Sequence, residues 1–342
     1  MNADGHDGDI LGIKSWAALP LILFGCWPFA AMSDEGACSA PKIIQVNDHV
    51  TAFYFGRGLT GPSGFEDVEG NWVNAGAWDL GVANYVVHQG DNALVFDTST
   101  LPACGVWERT YLETEGGIRH FVVALSHWHL DHIAGLEAFA GSHIYALDRT
   151  DAYLRENREA IESGTLWGPP GISVVLPTDT FAETLDLQVG TISVQLKHYD
   201  IHSRDGVAMV IPSDRALYPG DMLEDTVTYI VEPGDVPKHL DELARMRTLD
   251  IDRIYPNHGD PVKIAEGGYT KALIDAVVEY DTNMLGHVHD SDYMNLSIEN
   301  VIPTALDLGA VSIWNDYRTV HHNNLQLMLD YWRDRDLPSR PE

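Results

Sequence analysis

The chain has 342 residues, 45% hydrophobic and 21% charged, enough apolar material for a sizeable core and unlike the composition of a disordered chain. Its 51 acidic residues against 21 basic ones leave a formal net charge of -30, which repels phosphate backbones and argues against nucleic acid as a partner. The length fits one large domain built from helices and sheets, with embellishments.

Residues 16–32 form an apolar run, WAALPLILFGCWPFAAM. It is too short, and too interrupted by Pro20 and Pro28, to span a bilayer, and its length suits the core of an export signal. Asp4, Asp7 and Asp9 precede it with Lys14 the one positive charge, an acidic start that export signals avoid. Leu23-Phe24-Gly25-Cys26 is similar to a lipoprotein box, with a bulky Phe24. The reading adopted is export to the periplasm, with residues 1–40 a signal peptide or lipoprotein signal and linker. Membrane attachment then follows only if Cys26 is lipidated, and a start at Met32 would instead leave a cytoplasmic protein. Cys38 and Cys104 remain after export; a bond between them is one reading, and two inert, partly buried thiols is the preferred one.

From Lys42 the pattern turns to strands: KIIQVNDHVTAFYF, GVANYVVHQ and ALVFDTS, rich in β-branched and aromatic residues and bounded by Gly, Asp or Asn. Between the first two lies a long Gly-rich stretch carrying Trp72 and Trp78, which reads as a flap over a cleft or as a surface loop packed on its own tryptophans. A helix is predicted near Val106 to Glu115, then the buried strand FVVALS, a short helix around Leu136 and Phe139, the strand HIYAL, and the helix TDAYLRENREAIESG. TLWGPPG is a rigid loop that offers Trp167 as a pocket wall. ISVVL, FAETLDLQVG, TISVQLKHYD, VAMVIP and RALYP form a second batch of antiparallel strands. The helices PKHLDELARMRTL and YTKALIDAVVEYDTNML flank a last strand, RIYP, and the tail from 286 to 342 is acidic and mostly helical. Two batches of strands, each with helices around it, predict two sheets packed face to face with helices outside.

The chemistry concentrates in Ser126-His127-Trp128-His129-Leu130-Asp131-His132. Three imidazoles and a carboxylate in six positions are a mixed nitrogen and oxygen donor set of the kind zinc and similar first-row ions accept. His127 and His129 point the same way off an extended segment, while Asp131 and His132 reach a neighbouring point, so one loop serves two ions. A two-metal site needs more donors, and three stand just past predicted strands: His202, Asp221 in Tyr218-Pro219-Gly220-Asp221, and His258 in Asn257-His258-Gly259-Asp260. Asp200 and Asp260 lie near these donors and read as solvated turn carboxylates. The pairs His287/His289 and His321/His322 have no matching acidic cluster and read as solvated or capping residues.

The order HWHLDH, then His202, Asp221 and His258, resembles the metallo-β-lactamase-fold superfamily over roughly residues 42–285. The resemblance implies an α+β fold, a four-layer αββα sandwich with its site at one edge, occupying residues 41–285, with 286–342 a C-terminal helical extension. Carried over by position, His127, His129 and His202 would hold one metal and Asp131, His132 and His258 a second, with Asp221 bridging. The implied cofactor is two Zn2+ ions, with Fe or Mn as substitutes. An Asp at 221 is the pattern of the superfamily's lactonases, glyoxalase-II-like thioesterases, phosphodiesterases and nucleases rather than of its true β-lactamases.

The implied activity is hydrolysis of a small ester, lactone or thioester, with side activity on β-lactams. A shared, activated water would attack the carbonyl while Asp131 orients it and passes its proton to the leaving group. The alternatives kept are a mononuclear iron sulfur-dioxygenase and a β-lactamase or phosphodiesterase of the same fold. A small-molecule substrate is the expected partner. Tyr229 invites an oxyanion role, but its spacing from Asp221 favours a core tyrosine.

Overall fold

The computed structural model describes residues 38–59, 61 and 68–337. The apolar run 16–32, the Cys26 box and part of the Gly-rich stretch lie outside the described residues. Strands β1 (Lys42–Asn47), β2 (Val50–Phe55), β3 (Val82–Gln89) and β4 (Asn92–Phe96) form an antiparallel meander. Strands β5 (His120–Ala124), β6 (His143–Leu147) and β7 (Asp179–Phe181) extend it in parallel, giving seven strands in chain order. Helices Pro102–Thr114 and Asp148–Glu162 are two of its parallel crossovers. The second sheet runs β12-β11-β10-β9-β8, from β8 (Thr184–Val189), β9 (Ile192–His198), β10 (Val207–Ile211), β11 (Ala216–Tyr218) and β12 (Arg253–Ile254). β8 to β11 are antiparallel, and β12 joins β11 in parallel after helix Val236–Arg247. Two sheets with helices beside them make the α+β sandwich the sequence predicts.

Period-two alternation builds two apolar layers from one sheet. Ala52, Tyr54, Tyr85, Val87, Leu94 and Phe96 cluster with the second sheet, whereas their neighbours Phe53, Phe55, Val86 and Val95 cluster with helix Pro102–Thr114 and the metal-motif loop. Because both faces of β2 are buried, the segment reads as a continuous apolar run rather than an alternating one. The C-terminal helices Ala272–His287 and Tyr317–Trp332 join the core that contains the second sheet, through Leu273, Tyr280, Tyr317, Leu325 and Met328.

Several elements differ from the sequence reading. The run 42–55 is not one strand: it turns at Asp48-His49, where Asn47 Oδ1 accepts from His49 N at 3.0 Å. ISVVL (172–176) is not a strand, because the edge beside β6 is taken by β7; its Ile172 and Val174 are buried in the outer apolar cluster instead. FAETLDLQVG divides, Phe181 staying in the first sheet and Thr184–Val189 opening the second. Cys38 and Cys104 are not free thiols but a disulfide, with Cα atoms 4.9 Å apart. Their 66-residue separation hides a proximity that exists only once Cys38, ahead of β1, meets the first turn of helix Pro102–Thr114. His321 is buried rather than solvated: Tyr280 Oη donates to its Nδ1 and its Nε2 donates to the Leu296 carbonyl, both at 2.9 Å. His322 is exposed, and His287 pairs with Asp290 at 2.7 Å on the surface.

Helix Pro102–Thr114 also carries a buried carboxyl into the first sheet. Asn84 Nδ2 and Ser99 Oγ donate to Glu108 Oε2 at 2.8 and 3.1 Å, yet burial pushes its pKa up to about 8. The folded state therefore keeps a proton that the unfolded chain releases near 4.5, so this group's stabilisation is full below 4.5 and is lost as pH rises towards about 8. Glu108→Gln is expected to flatten that fall; urea midpoints at about pH 5 and about pH 8 measure it. An unchanged pH slope would remove Glu108 as its source.

Candidate metal centre

The site lies where strands of both sheets end on one edge. β5 runs out into Ser126–His129 and the single turn Leu130–Ile133; His202 follows β9, Asp221 follows β11, and His258 follows β12. The two sheets are tied together at this point by Val207 N donating to the Ser126 carbonyl at 2.7 Å. Gly220 lets Asp221 approach: its φ is +61°, and a Cβ there would meet Ser126 Cβ at 2.8 Å. His202 itself sits at φ +65°, a left-handed conformation uncommon for a side chain other than glycine.

All the sequence-predicted donors come together and all are buried. They form two groups, His127, His129, His202, Asp221 and Asp131, His132, His258, Asp221, with donor atoms within 4.8 Å of one another in each. Asp221 Oδ2 is the common point: His132 Nε2 is 2.9 Å away, His258 Nε2 3.2 Å, His127 Nε2 3.5 Å and His202 Nε2 3.9 Å. Asp131 Oδ2 stands 3.3 Å from His258 Nε2 and 3.5 Å from His132 Nε2, and His129 Nδ1 faces His202 Nε2 at 3.1 Å.

A second layer fixes which nitrogen points inward. His202 Nδ1 donates to the Tyr229 carbonyl at 2.9 Å and His258 Nδ1 to the Gly81 carbonyl at 2.6 Å. His132 Nδ1 donates to Asp97 Oδ2 at 3.1 Å, and His127 Nδ1 meets Ser126 Oγ at 2.8 Å. A carbonyl can only accept, so Nδ1 carries a proton on His202 and His258, and Nε2 is the atom turned to the centre. Such partners orient metal-binding imidazoles and raise their basicity. Asp97 is itself anchored by Ser126 N at 2.7 Å and Asn257 Nδ2 at 2.6 Å.

The charges of the cluster divide. Burial, then the neighbouring imidazoles, holds His127 and His129 well below the usual histidine value, and burial lowers His202. Burial works the same way on His132 and His258, but the carboxylates of Asp221 and Asp131 raise both. Burial opposes the charge on Asp131 and Asp221, and those two imidazoles nonetheless keep them well below the carboxylate range. His127 Nε2 and Asp221 Oδ1 are buried with no hydrogen-bond partner among the described residues. Buried polar atoms are nearly always partnered, so a donor set this crowded, with lone pairs aimed at common points, fits divalent metal.

Other assignments change. Asp200 and Asp260 reach no donor imidazole. Asp200 is buried and paired with Lys238, and Asp260 caps a short helix by accepting from Val262 N at 2.7 Å. The sequence reading assigns no role to Asp97, Asn257 or Glu224. Asp97 carries the same signal as the donors, an acid just past the strand in ALVFDTS; Glu224, three residues after Asp221, carries none. Glu224 is buried, its Oε1 accepting from Tyr229 N at 3.0 Å and its Oε2 from Tyr317 Oη at 2.8 Å.

A cavity of about 410 Å³ opens beside the donors, with Trp72, Trp128, Trp167, Tyr229 and Glu224 in its wall. Trp72 and Trp167 thus take the pocket-side role. Trp78 instead packs in the core 6.3 Å from Phe55, and the half-buried Tyr229 both packs against the core and lines the cavity.

An αββα sandwich with a His/Asp cluster at its edge is the architecture of one known class, and comparison supports it. Residues 77–258 match the family model of the metallo-beta-lactamase superfamily, and the chain belongs to that superfamily. It is 28% identical over 175 residues to a putative transcription factor, avaE, of Aspergillus versicolor, covering 48% of this chain and 51% of that one. It is 22% identical over 208 residues to a linear primary-alkylsulfatase of a Pseudomonas species, covering 49% and 38%. The chain spans about half the length of the curated relatives it matches. Among solved structures, a metallo-beta-lactamase from Pontibacter korlensis superposes with a TM-score of 0.50 at 16% identity, covering 69% of this chain and 99% of that one, a likeness of fold.

Asp97→Asn keeps the shape of the side chain and weakens its hold on His132. The expected outcome is a metal affinity about 10- to 100-fold lower, read by competition with a chromophoric chelator. Affinity equal to the parent protein would make Asp97 a purely structural group.

Proposed function

We propose that the chain is a metal-dependent hydrolase that opens a small ester, lactone or thioester, using two divalent ions, zinc in the first instance. The observation that carries the reading is Asp221 Oδ2 lying among imidazoles of both donor groups, as a bridging carboxylate must. His127, His129 and His202 would hold one ion, Asp131, His132 and His258 the other, and Asp221 both. When bound, the ions lower the pKa of water towards neutrality and polarise a carbonyl oxygen. Asp131 supplies a carboxylate at the cavity wall that would orient the attacking water, take its proton and return it to the leaving group. Trp72, Trp128 and Trp167 keep bulk water from the reacting face.

Elemental analysis should find about two metal ions per chain, removed by a chelator together with activity and restored by zinc. Asp131→Asn should lower kcat about 10²- to 10⁴-fold, and His127→Ala should lose metal as well as rate. Metal-replete protein inert towards every lactone, ester and thioester in the panel overturns the acyl reading. One iron per chain with oxygen uptake on a persulfide establishes the sulfur-dioxygenase in its place. Turnover confined to β-lactams, phosphodiesters or alkyl sulfates moves the reaction elsewhere within the fold.

We also propose export from the cytoplasm, because the Cys38–Cys104 disulfide fits an oxidising compartment. Intact mass after expression with the full N-terminus should show removal of the first residues and no free thiol at 38 or 104. A full-length chain with both thiols reduced in active protein refutes export.

A further inference from the structure

We propose that the cavity selects substrates whose flanking group is uncharged and apolar, aromatic for preference, and discriminates against those carrying a carboxylate or sulfate away from the scissile bond. The inference rests on the hydrolase reading only for the bond that is broken. The wall supports it by shape, chemistry and charge.

Trp72, Trp128 and Trp167 come from three separate segments and meet as a corner, Trp167 lying 6.4 Å from Trp72 and 5.3 Å from Trp128 between ring centroids. The corner is pre-formed. Trp72 Nε1 donates to the Pro170 carbonyl at 2.9 Å, Trp72 N to the Pro169 carbonyl at 3.1 Å, and Trp128 stacks on Tyr153 at 4.0 Å. Leu80, Val231 and Val320 add aliphatic surface. Rigid aromatic faces favour flat or apolar groups without the ordering that a mobile wall would require.

No lysine or arginine lines this cavity among the described residues. Of the 21 in the chain, only Lys14 and Arg340 lie outside the described residues, and positions 60 and 62–67 contain none. Arg57 stands behind the wall, its Nε donating to the Leu80 carbonyl at 2.7 Å and its guanidinium over the rings of Trp314 and Tyr317. Apart from the metal-centre donors, the acidic side chain in the lining is Glu224, whose carboxyl pKa burial raises to about 7. A carboxylate or sulfate on the flanking group would therefore lose its hydration without gaining the forked donor that recognition of such anions uses. The net charge of -30 opposes its approach as well.

The test uses metal-loaded protein and a matched pair of amide probes, phenylacetanilide and its 4-carboxylate, with binding read from tryptophan emission. The neutral probe should bind at least about tenfold more tightly. Asn323 lies in the lining and is exposed, so Asn323→Lys places a cation there with little cost to folding; it should tighten the carboxylated probe several-fold relative to the neutral one. Trp167→Ala should weaken the neutral probe. Equal or tighter binding of the carboxylated probe, or no binding of either, overturns the proposal. Protein that keeps the binding preference yet hydrolyses no ester loses the hydrolase reading alone. Protein that cleaves neutral and carboxylated esters with equal kcat/KM keeps the hydrolase reading and loses this one.

Discussion

Asp221 stands buried among four imidazoles drawn from three other strand ends, and the rest of the molecule is arranged around keeping it there. Gathering five histidines and two aspartates out of water is costly unless their charges and lone pairs find partners. Two solutions are visible at once. Around the rim, backbone carbonyls, Ser126 and Asp97 take the outward nitrogens of four imidazoles and so fix their rotation. Towards the middle the ring nitrogens and carboxylates converge, and His127 Nε2 and Asp221 Oδ1 are left without hydrogen-bond partners among the described residues. A divalent cation would be a shared partner for those atoms, and metal binding would then contribute to folding.

The loop after Asp221 shows how far the support extends. Thr226 has φ +91°, a costly conformation for a β-branched residue, and it is held by hydrogen bonds from elsewhere. Its Oγ1 donates to the Ser312 carbonyl at 2.5 Å and accepts from Trp314 N at 3.0 Å, while Asp225 beside it accepts from Ser312 N and Tyr269 Oη, both at 2.7 Å. Asn324 takes Ile230 N and gives to the Thr228 carbonyl, each at 2.9 Å, and Tyr317 holds Glu224. The C-terminal helical segment is therefore the outer wall of the loop that carries Asp221, and Val320 reaches the cavity from it.

The centre was legible because its signals are local or repeat in kind. His127 to His132 are six consecutive positions, and His202, Asp221 and His258 each end a recognisable strand. The sandwich was legible for a related reason: two batches of apolar strands can bury their faces only against each other. What was hidden depends on distance in the chain. Asp97 orients His132 across 35 residues, Asn257 reaches Asp97 across 160, and Glu224 gains its partner Tyr317 across 93. ISVVL failed as a strand because apolar residues state that they will be buried, not whether a sheet edge is free to pair with them.

The same contrast explains why the reacting bond is easier to reason about than the molecule that contains it. The donors lie on strand ends that the two sheets fix, so the sequence order of His and Asp carries over to the geometry. The cavity wall is assembled from the segments around Trp72, Trp128 and Trp167 and from the helix carrying Val320, with no shared strand to set their register. Its shape follows from a few cross-links, such as Trp72 to the Pro169 and Pro170 carbonyls, that no spacing in the sequence announces. Its charge, by contrast, needs little geometry: a chain with 21 basic residues in 342 has few to give, and none of the described ones lines the wall. Selectivity by an absent cation is thus the part of substrate choice that composition constrains, while the fit of the apolar group is set by the tertiary contacts.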